Sequence, residues 1–297
     1  MKRYEHNPIL EPIGTHAWES RQVFNAAAFA NGDRVHILYR AMGDDKVSRI
    51  GLASSSDGYV IDERLPLPVF GPSQENERDG CEDPRLTLVG EDLIMAYTAF
   101  GVHLNHQVYQ IGLSSIKLND FMQRNWRWTE RFLAFPGIHN KDAVVFSEKF
   151  KNDYVMFHRL EPDLCIARSN DLQRWYGLKY VLGPRENSWD SWKVGAAGPP
   201  IRINEGWLLI YHGVSSDRVY SLGTALLDKN DPEQVIYRSQ NPILIPEETY
   251  ERFGKVPNVV FSCGQAIRDN KLLIYYGGAD TVLCVATFEL GELLPKR

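Results

Sequence analysis

Apolar and polar positions alternate in short runs along the whole chain, and each run opens on a turn signal of Asp, Asn, Glu or Gly. Five runs end in an aromatic residue or histidine followed by one more residue: 33–40 (DRVHILYR), 91–98 (EDLIMAYT), 152–159 (NDYVMFHR), 205–212 (EGWLLIYH) and 270–277 (NKLLIYYG). A period of two predicts strands that are buried on one face. The penultimate residues Tyr39, Tyr97, His158, Tyr211 and Tyr276 are 58, 61, 53 and 65 residues apart, which marks an internal repeat.

Each run is followed by a strand of smaller or β-branched residues, at 49–53, 110–114, 164–168, 221–225 and 282–286. Proline-marked segments at 7–10, 67–70, 132–136, 180–184 and 241–244 suit edge strands, since proline donates nothing to a ladder. One further strand precedes each aromatic run, at 24–30, 84–89, 143–147, 200–203 and 264–268. Four strands in each of five units predict an all-β chain folded as a five-bladed β-propeller with four-stranded blades, one domain over 1–297. The sequence Asn-Pro-Ile-Leu stands at both 7–10 and 241–244, so the N-terminal strand is expected to close the ring.

Composition narrows the function. Against 38 acidic side chains stand 33 basic ones, a formal net charge of −5, with no run of about five like charges. That excludes a protein whose affinity rests on neutralising nucleic-acid phosphates. No apolar stretch approaches the eighteen or so residues of a membrane helix, and the opening Met1 to Pro8 lacks the apolar core of a signal peptide. A cytoplasmic protein with no membrane partner is expected. Cys81, Cys165, Cys263 and Cys284 are far apart and predict reduced, mostly buried thiols.

In an antiparallel hairpin the start of one strand and the end of the next share an end. The repeat therefore gathers two sets of side chains at one mouth. Arg40, Thr98, Arg159, His212 and Gly277 directly follow the aromatic anchors; Asn25 and Asp83 precede theirs by 14 residues, and Lys141 and Lys193 by 17 and 18. Lys141, Arg159, Lys193 and His212, with Arg40, form a cationic set that an oxyanion would neutralise. The competing reading pairs each base with an acid such as Glu82, Asp142 or Asp190. Glycoside hydrolysis usually needs two carboxylates. Here Asp83 is the one clear acid, and inorganic phosphate as nucleophile needs no general base, which describes an inverting phosphorylase. Asp280 could instead supply a second carboxylate or hold sugar hydroxyls.

The motifs Asn25-Ala26-Ala27, Glu82-Asp83-Pro84-Arg85, His139-Asn140-Lys141-Asp142, Phe157-His158-Arg159, Lys193-Val194-Gly195-Ala196, Tyr211-His212-Gly213 and Tyr276-Gly277-Gly278-Ala279-Asp280 occur in order along the chain. Together they resemble family 130 of the glycoside hydrolases, the five-bladed β-mannoside phosphorylases and mannosidases. The resemblance implies Asp83 as general acid, with its proton passing through a sugar hydroxyl, and Lys141, Arg159, Lys193 and His212 as the phosphate site. It implies Asn25, Arg40 and Asp280 around the non-reducing mannose, with Glu82, Arg85, Asn140 and Asp142 in the same substrate-binding motifs. Inorganic phosphate is then the co-substrate, with no metal and no other cofactor. The partners expected are a small carbohydrate and phosphate, and self-association into a homo-oligomer is left open. The local sequence Gly195-Ala196-Ala197-Gly198-Pro199-Pro200 departs from the Gly-Ala-Gly-Pro-Pro-Pro of the phosphorylases. A short β-1,2-mannoside is the favoured substrate; a β-mannosidase or a non-catalytic sugar-binding protein are the alternatives. Trp189, Trp192, Tyr220 and His103 are expected in loops, where they could stack on sugars, whereas Trp207, Tyr211, Tyr275 and Tyr276 are expected in the core.

Overall fold

The computed structural model describes residues 1–294 and is all-β. Five successive units each supply three main strands: Gln22–Asn31, Arg34–Met42 and Ser48–Ser55; Gly80–Val89, Asp92–His103 and His106–Lys117; Lys141–Val145, Tyr154–Leu160 and Asp163–Ser169; Lys193–Ala196, Gly206–Val214 and Tyr220–Leu227; Val260–Arg268, Lys271–Gly278 and Val282–Glu289. Neighbours within a unit pair antiparallel, as the alternating pattern predicts.

The pairing corrects the expected five-bladed propeller. The strands fall into four sheets, of four, four, five and eight strands, and none of them curls shut into a barrel. The first two units share the eight-stranded sheet through a parallel bridge between Ser48 and Gly80. That approach depends on glycine, because a Cβ on Gly80 would stand 2.8 Å from the Ser48 Cβ. Most of the expected fourth strands are vestigial. Of the expected 132–136 only Phe132–Leu133 pairs as a strand, and Leu10, Phe70 and Leu244 make only isolated bridges to Leu283, Ile50 and Leu222. Proline beside these residues removes the donors a longer ladder would need. The N-terminal Lys2–Arg3 adds an edge to the last sheet opposite Thr287 and Ala286, and the sheets remain open.

The aromatic anchors explain what holds each unit. Tyr39, Tyr97, Tyr211 and Tyr276 are buried and donate their hydroxyls to Glu19 at 2.9 Å, to Glu77, to Asp190 at 2.8 Å and to Glu251 at 2.8 Å. Each acid also meets an arginine: Arg64 at 2.6 Å, Arg131 at 2.5 Å, Arg238 at 2.6 Å and Arg3 at 2.8 Å. A carboxylate with little or no exposure is tolerated there because it is both paired and hydrogen-bonded. His158 is the exception. It bonds Asn140 at 3.0 Å, and burial lowers its pKa to about 4, so the ring is neutral. Apolar clusters fill the spaces between neighbouring units; Trp207 and Tyr211 share one, Tyr275 and Tyr276 lie in two others. All four cysteines are buried and unpaired.

Candidate active site

Three of the leading strands carry the same local defect. Asn25, Asp83 and Asp142 adopt left-handed backbone, with φ of 47°, 48° and 58°, and each lies in a register shift: between Phe24 and Ala27, Glu82 and Arg85, and Lys141 and Val144. A bulge leaves its extra residue out of the ladder and re-aims its side chain. Asn and Asp are the non-glycine residues that best accept this conformation. Sequence and backbone therefore agree on three short polar side chains turned out of their sheets.

These residues open onto a cavity of about 310 Å³. Asn25, Arg40, Asp83 and Asp280 reach it from the first, second and fifth units; Lys141, Asp142, Arg159 and Lys193 reach it from the third and fourth. The sequence-predicted set is thus split between wall and backing, because Glu82, Arg85, Asn140 and His212 stand behind the wall. Glu82 accepts from Arg40 at 2.6 Å and from Lys141 at 3.2 Å. Arg85 is fully buried and bonds Asp142 at 2.9 Å and the carbonyls of Ala197 and Asp83 at 2.8 and 3.0 Å. The departure at residues 195–198 therefore sits where carbonyls orient Arg85. Asn140 is taken up by His158.

His212 has no exposed surface and accepts a hydrogen bond at Nε2 from Arg159 at 3.2 Å. Burial holds its pKa below the ordinary value against the pull of Asp142, so it positions Arg159 as a neutral ring and adds no positive charge to the set at pH 7. Asp142 pairs with Arg159 at 2.6 Å and with the buried Arg85 at 2.9 Å. Asp190 is occupied by Arg185, Arg238 and Tyr211 and neutralises none of the cavity's cations.

Sequence reasoning missed Glu161 and Tyr109. Lys193 bonds Glu161 at 3.2 Å, and the Lys141 ammonium lies 3.8 Å from the Tyr109 ring centroid. The signal for Glu161 was its place two residues beyond Arg159, before Pro162, where a hairpin turns at the mouth. Of the loop aromatics, Tyr220 lines the cavity, while Trp192 stands beside it with Lys193 4.3 Å from its centroid. Trp189 packs on Tyr211 in the interior of its unit, and His103 lies against Gly137.

Two carboxyl groups on the wall are tuned apart. Burial raises the Asp83 carboxyl, but Arg40, Lys141, Arg85 and the Asn25 amide outweigh it and hold it below its ordinary value. Burial dominates at Asp280 and pushes it up to about 6, with Arg40 opposing. Such divergence is how one site holds a proton beside an ionised acid. Among the described residues no cluster of three or more His, Cys, Asp or Glu is arranged to hold a metal ion, and no helix is long and apolar enough to cross a membrane.

Residues 1–295 match the family model of glycoside hydrolase family 130, described as beta-1,4-mannooligosaccharide phosphorylase. The chain belongs to this family. It is 42% identical to a 1,2-beta-oligomannan phosphorylase of Thermoanaerobacter sp. (strain X514), over 99% of this chain and 98% of the relative. It is also 42% identical to a beta-1,2-mannobiose phosphorylase of the same organism, over 97% of each chain. Among solved structures, the beta-1,2-mannobiose phosphorylase of Listeria innocua in complex with beta-1,2-mannobiose superposes with a TM-score of 0.86 at 26% identity, covering 98% of this chain and 97% of the other.

Proposed function

We propose that this family 130 protein is an inverting β-mannoside phosphorylase: inorganic phosphate cleaves a short β-mannoside into α-mannose 1-phosphate and a shortened sugar. The observation that carries the reading is the convergence of Lys141, Arg159 and Lys193 on one cavity with Asp83. Phosphate held by these cations supplies the attacking oxygen. The new bond forms at the anomeric carbon from the α face as the β-glycosidic bond breaks, and Asp83 in its acid form sends a proton to the departing oxygen, through a ring hydroxyl. The proton on the phosphate oxygen balances the one delivered, so the acid is restored at the end of the cycle. Asn25, Arg40 and Asp280 hold the hydroxyls of the reacting mannose, and phosphate is the only co-substrate the chemistry needs.

The relatives that share 42% of the sequence over nearly the full length favour a β-1,2 linkage over the β-1,4 linkage in the family description. The test is turnover of β-1,2- and β-1,4-mannobiose with and without phosphate. Phosphate-dependent release of α-mannose 1-phosphate from the β-1,2 isomer is expected. Release of free mannose regardless of phosphate would make the protein a hydrolase, and binding without turnover a sugar-binding protein.

A further inference from the structure

An acid stands in the part of the cavity where an anion must bind. Glu161 lines the cavity from the hairpin turn between Tyr154–Leu160 and Asp163–Ser169, and its Oε1 accepts from Lys193 at 3.2 Å. It is exposed, so the core of the fold does not demand a carboxylate at this position. We propose that Glu161 sets the anion selectivity of this pocket: its carboxylate accepts a hydrogen bond from the proton that inorganic phosphate carries, and repels sulfate, which carries none.

The inference rests on the phosphorylase reading and deepens it, by naming which oxyanion the cations admit. Hydrogen phosphate and sulfate are tetrahedral dianions of nearly the same size, so attraction to Lys141, Arg159 and Lys193 does not tell them apart. Lysine and arginine only donate. What differs is the O–H of phosphate, and reading it takes an acceptor. Two other carboxylates near these cations are committed: Asp142 pairs with Arg159 at 2.6 Å and Arg85 at 2.9 Å, and Glu82 accepts from Arg40 and Lys141 at 2.6 and 3.2 Å. His139 also lines the cavity, but burial and then the Lys141 charge hold its pKa below the ordinary value. A ring that is neutral at pH 7 does not repel sulfate. Glu161 both accepts and repels. The Lys193 bond uses Oε1 and leaves Oε2 to accept, and a lysine has three donors, so Lys193 can hold Glu161 and phosphate together. Partial burial raises the Glu161 carboxyl, but Lys193, Arg159 and His139 outweigh it and keep it below its ordinary value, hence ionised at pH 7. A site that pairs a substrate O–H rejects the analogue lacking it far more strongly than charge alone does, and a like charge adds to the rejection.

The test is inhibition by sulfate, competing with phosphate in the phosphorolysis of a β-mannobiose, for the unaltered enzyme and for Glu161→Gln. Glutamine keeps the shape of the side chain, removes its charge and adds N–H donors that sulfate can use. The ratio of the sulfate Ki to the phosphate KM should fall about tenfold in the variant, the scale of one hydrogen bond to a charged group. An unchanged ratio overturns the assignment, whether neither constant moves, as for a residue that only shapes the turn, or both tighten together, as for a charge that reads no proton. If the unaltered protein releases no mannose 1-phosphate, the functional reading fails instead. Calorimetric titration of phosphate and of sulfate into both proteins then decides the role of Glu161. A preference for phosphate that weakens in the variant supports it; no preference in the unaltered protein, or one that the variant keeps, overturns it.

Discussion

Arg40 spans two neighbouring acids, with one guanidinium nitrogen 3.1 Å from Asp83 and the other 2.6 Å from Glu82. The first contact helps hold Asp83 ionised, whereas donating a proton requires its acid form. Phosphate supplies the missing step. A dianion among Lys141, Arg159 and Lys193 cancels much of the positive potential that keeps Asp83 ionised, and bound sugar excludes water, so both shifts favour protonation. Phosphate and sugar binding should therefore take up a proton near pH 7. Calorimetry in buffers of different ionisation enthalpy measures this directly. Uptake in the unaltered protein and its loss in Asp83→Asn are expected; equal uptake in both would assign the proton elsewhere.

Replacing Asp83 by Asn keeps the shape and the Asn25 contact but removes the acid. Turnover should fall by roughly 10²–10⁴-fold, the usual contribution of a general acid. Melting temperature should stay within a few degrees, because removing one carboxylate from between Arg40, Lys141 and Arg85 is offset by the smaller cost of burying an amide. Activity near that of the unaltered enzyme would remove Asp83 from its assigned role.

Lys193 is the cation most free to change partners, since its carboxylate contact among the described residues, Glu161, is exposed, whereas Lys141 and Arg159 pair with the buried Glu82 and Asp142. Burial and the nearby Arg159 already lower its pKa, so an arriving phosphate stabilises its charged form. Lys193→Ala should raise the phosphate KM about ten- to hundredfold, as expected from roughly 1.5–3 kcal/mol for a hydrogen bond to a charged group. The mannoside KM should change far less. Phosphate should also raise the melting temperature of the unaltered protein more than that of the variant. A phosphate KM unmoved by the substitution would place the anion away from Lys193.

Much of this was legible in the chain. Strand positions followed from alternation, and the mouth residues Asn25, Arg40, Asp83, Lys141, Arg159 and Lys193 followed from counting back and forward from the anchors. Sheet grouping did not follow, because it turns on one glycine at residue 80 meeting Ser48 and on proline-shortened edges, neither of which periodicity reveals. The role of His212 was also hidden. Its position one residue past Tyr211 matches Arg40 and Arg159 in register, but burial makes it a neutral acceptor. The repeated carboxylates Glu19, Glu77, Asp190 and Glu251 lie 20, 20, 21 and 25 residues before their tyrosines, a drift that conceals them from a fixed-period search.

Gly195 stands close behind the cationic wall. A Cβ there would stand 2.5 Å from Asp142 Oδ2 and 2.6 Å from His212 Cε1, both on buried side chains. Gly195→Ala should therefore displace the Asp142 and His212 groups that orient Arg159. The expected cost is about 1–3 kcal/mol of stability, typical of overpacking, together with a higher phosphate KM. Gly14, where an added Cβ would meet nothing within 4 Å, provides the control: Gly14→Ala should alter neither quantity. Equal behaviour of the two variants would show that the backing of the wall yields without consequence.

Asp280 gives stability a pH dependence of opposite sign to that of Asp83 and Asp142. Its folded pKa of about 6 lies above the ordinary 3.8, so the folded state holds the extra proton between those values. The stability it contributes is fully present below about pH 3.8 and is lost as pH rises through about 6. Asp83 and Asp142 are depressed, and their contributions are lost on the acid side instead. Asp280→Asn makes the neutral form permanent and leaves the other two in place, so their effects cancel in the comparison. The variant should melt a few degrees above the unaltered protein at pH 7.5, and this gain should shrink towards zero by pH 4. A difference in melting temperature that stays constant across that range would mean that the Asp280 carboxyl does not titrate near 6 in the folded protein.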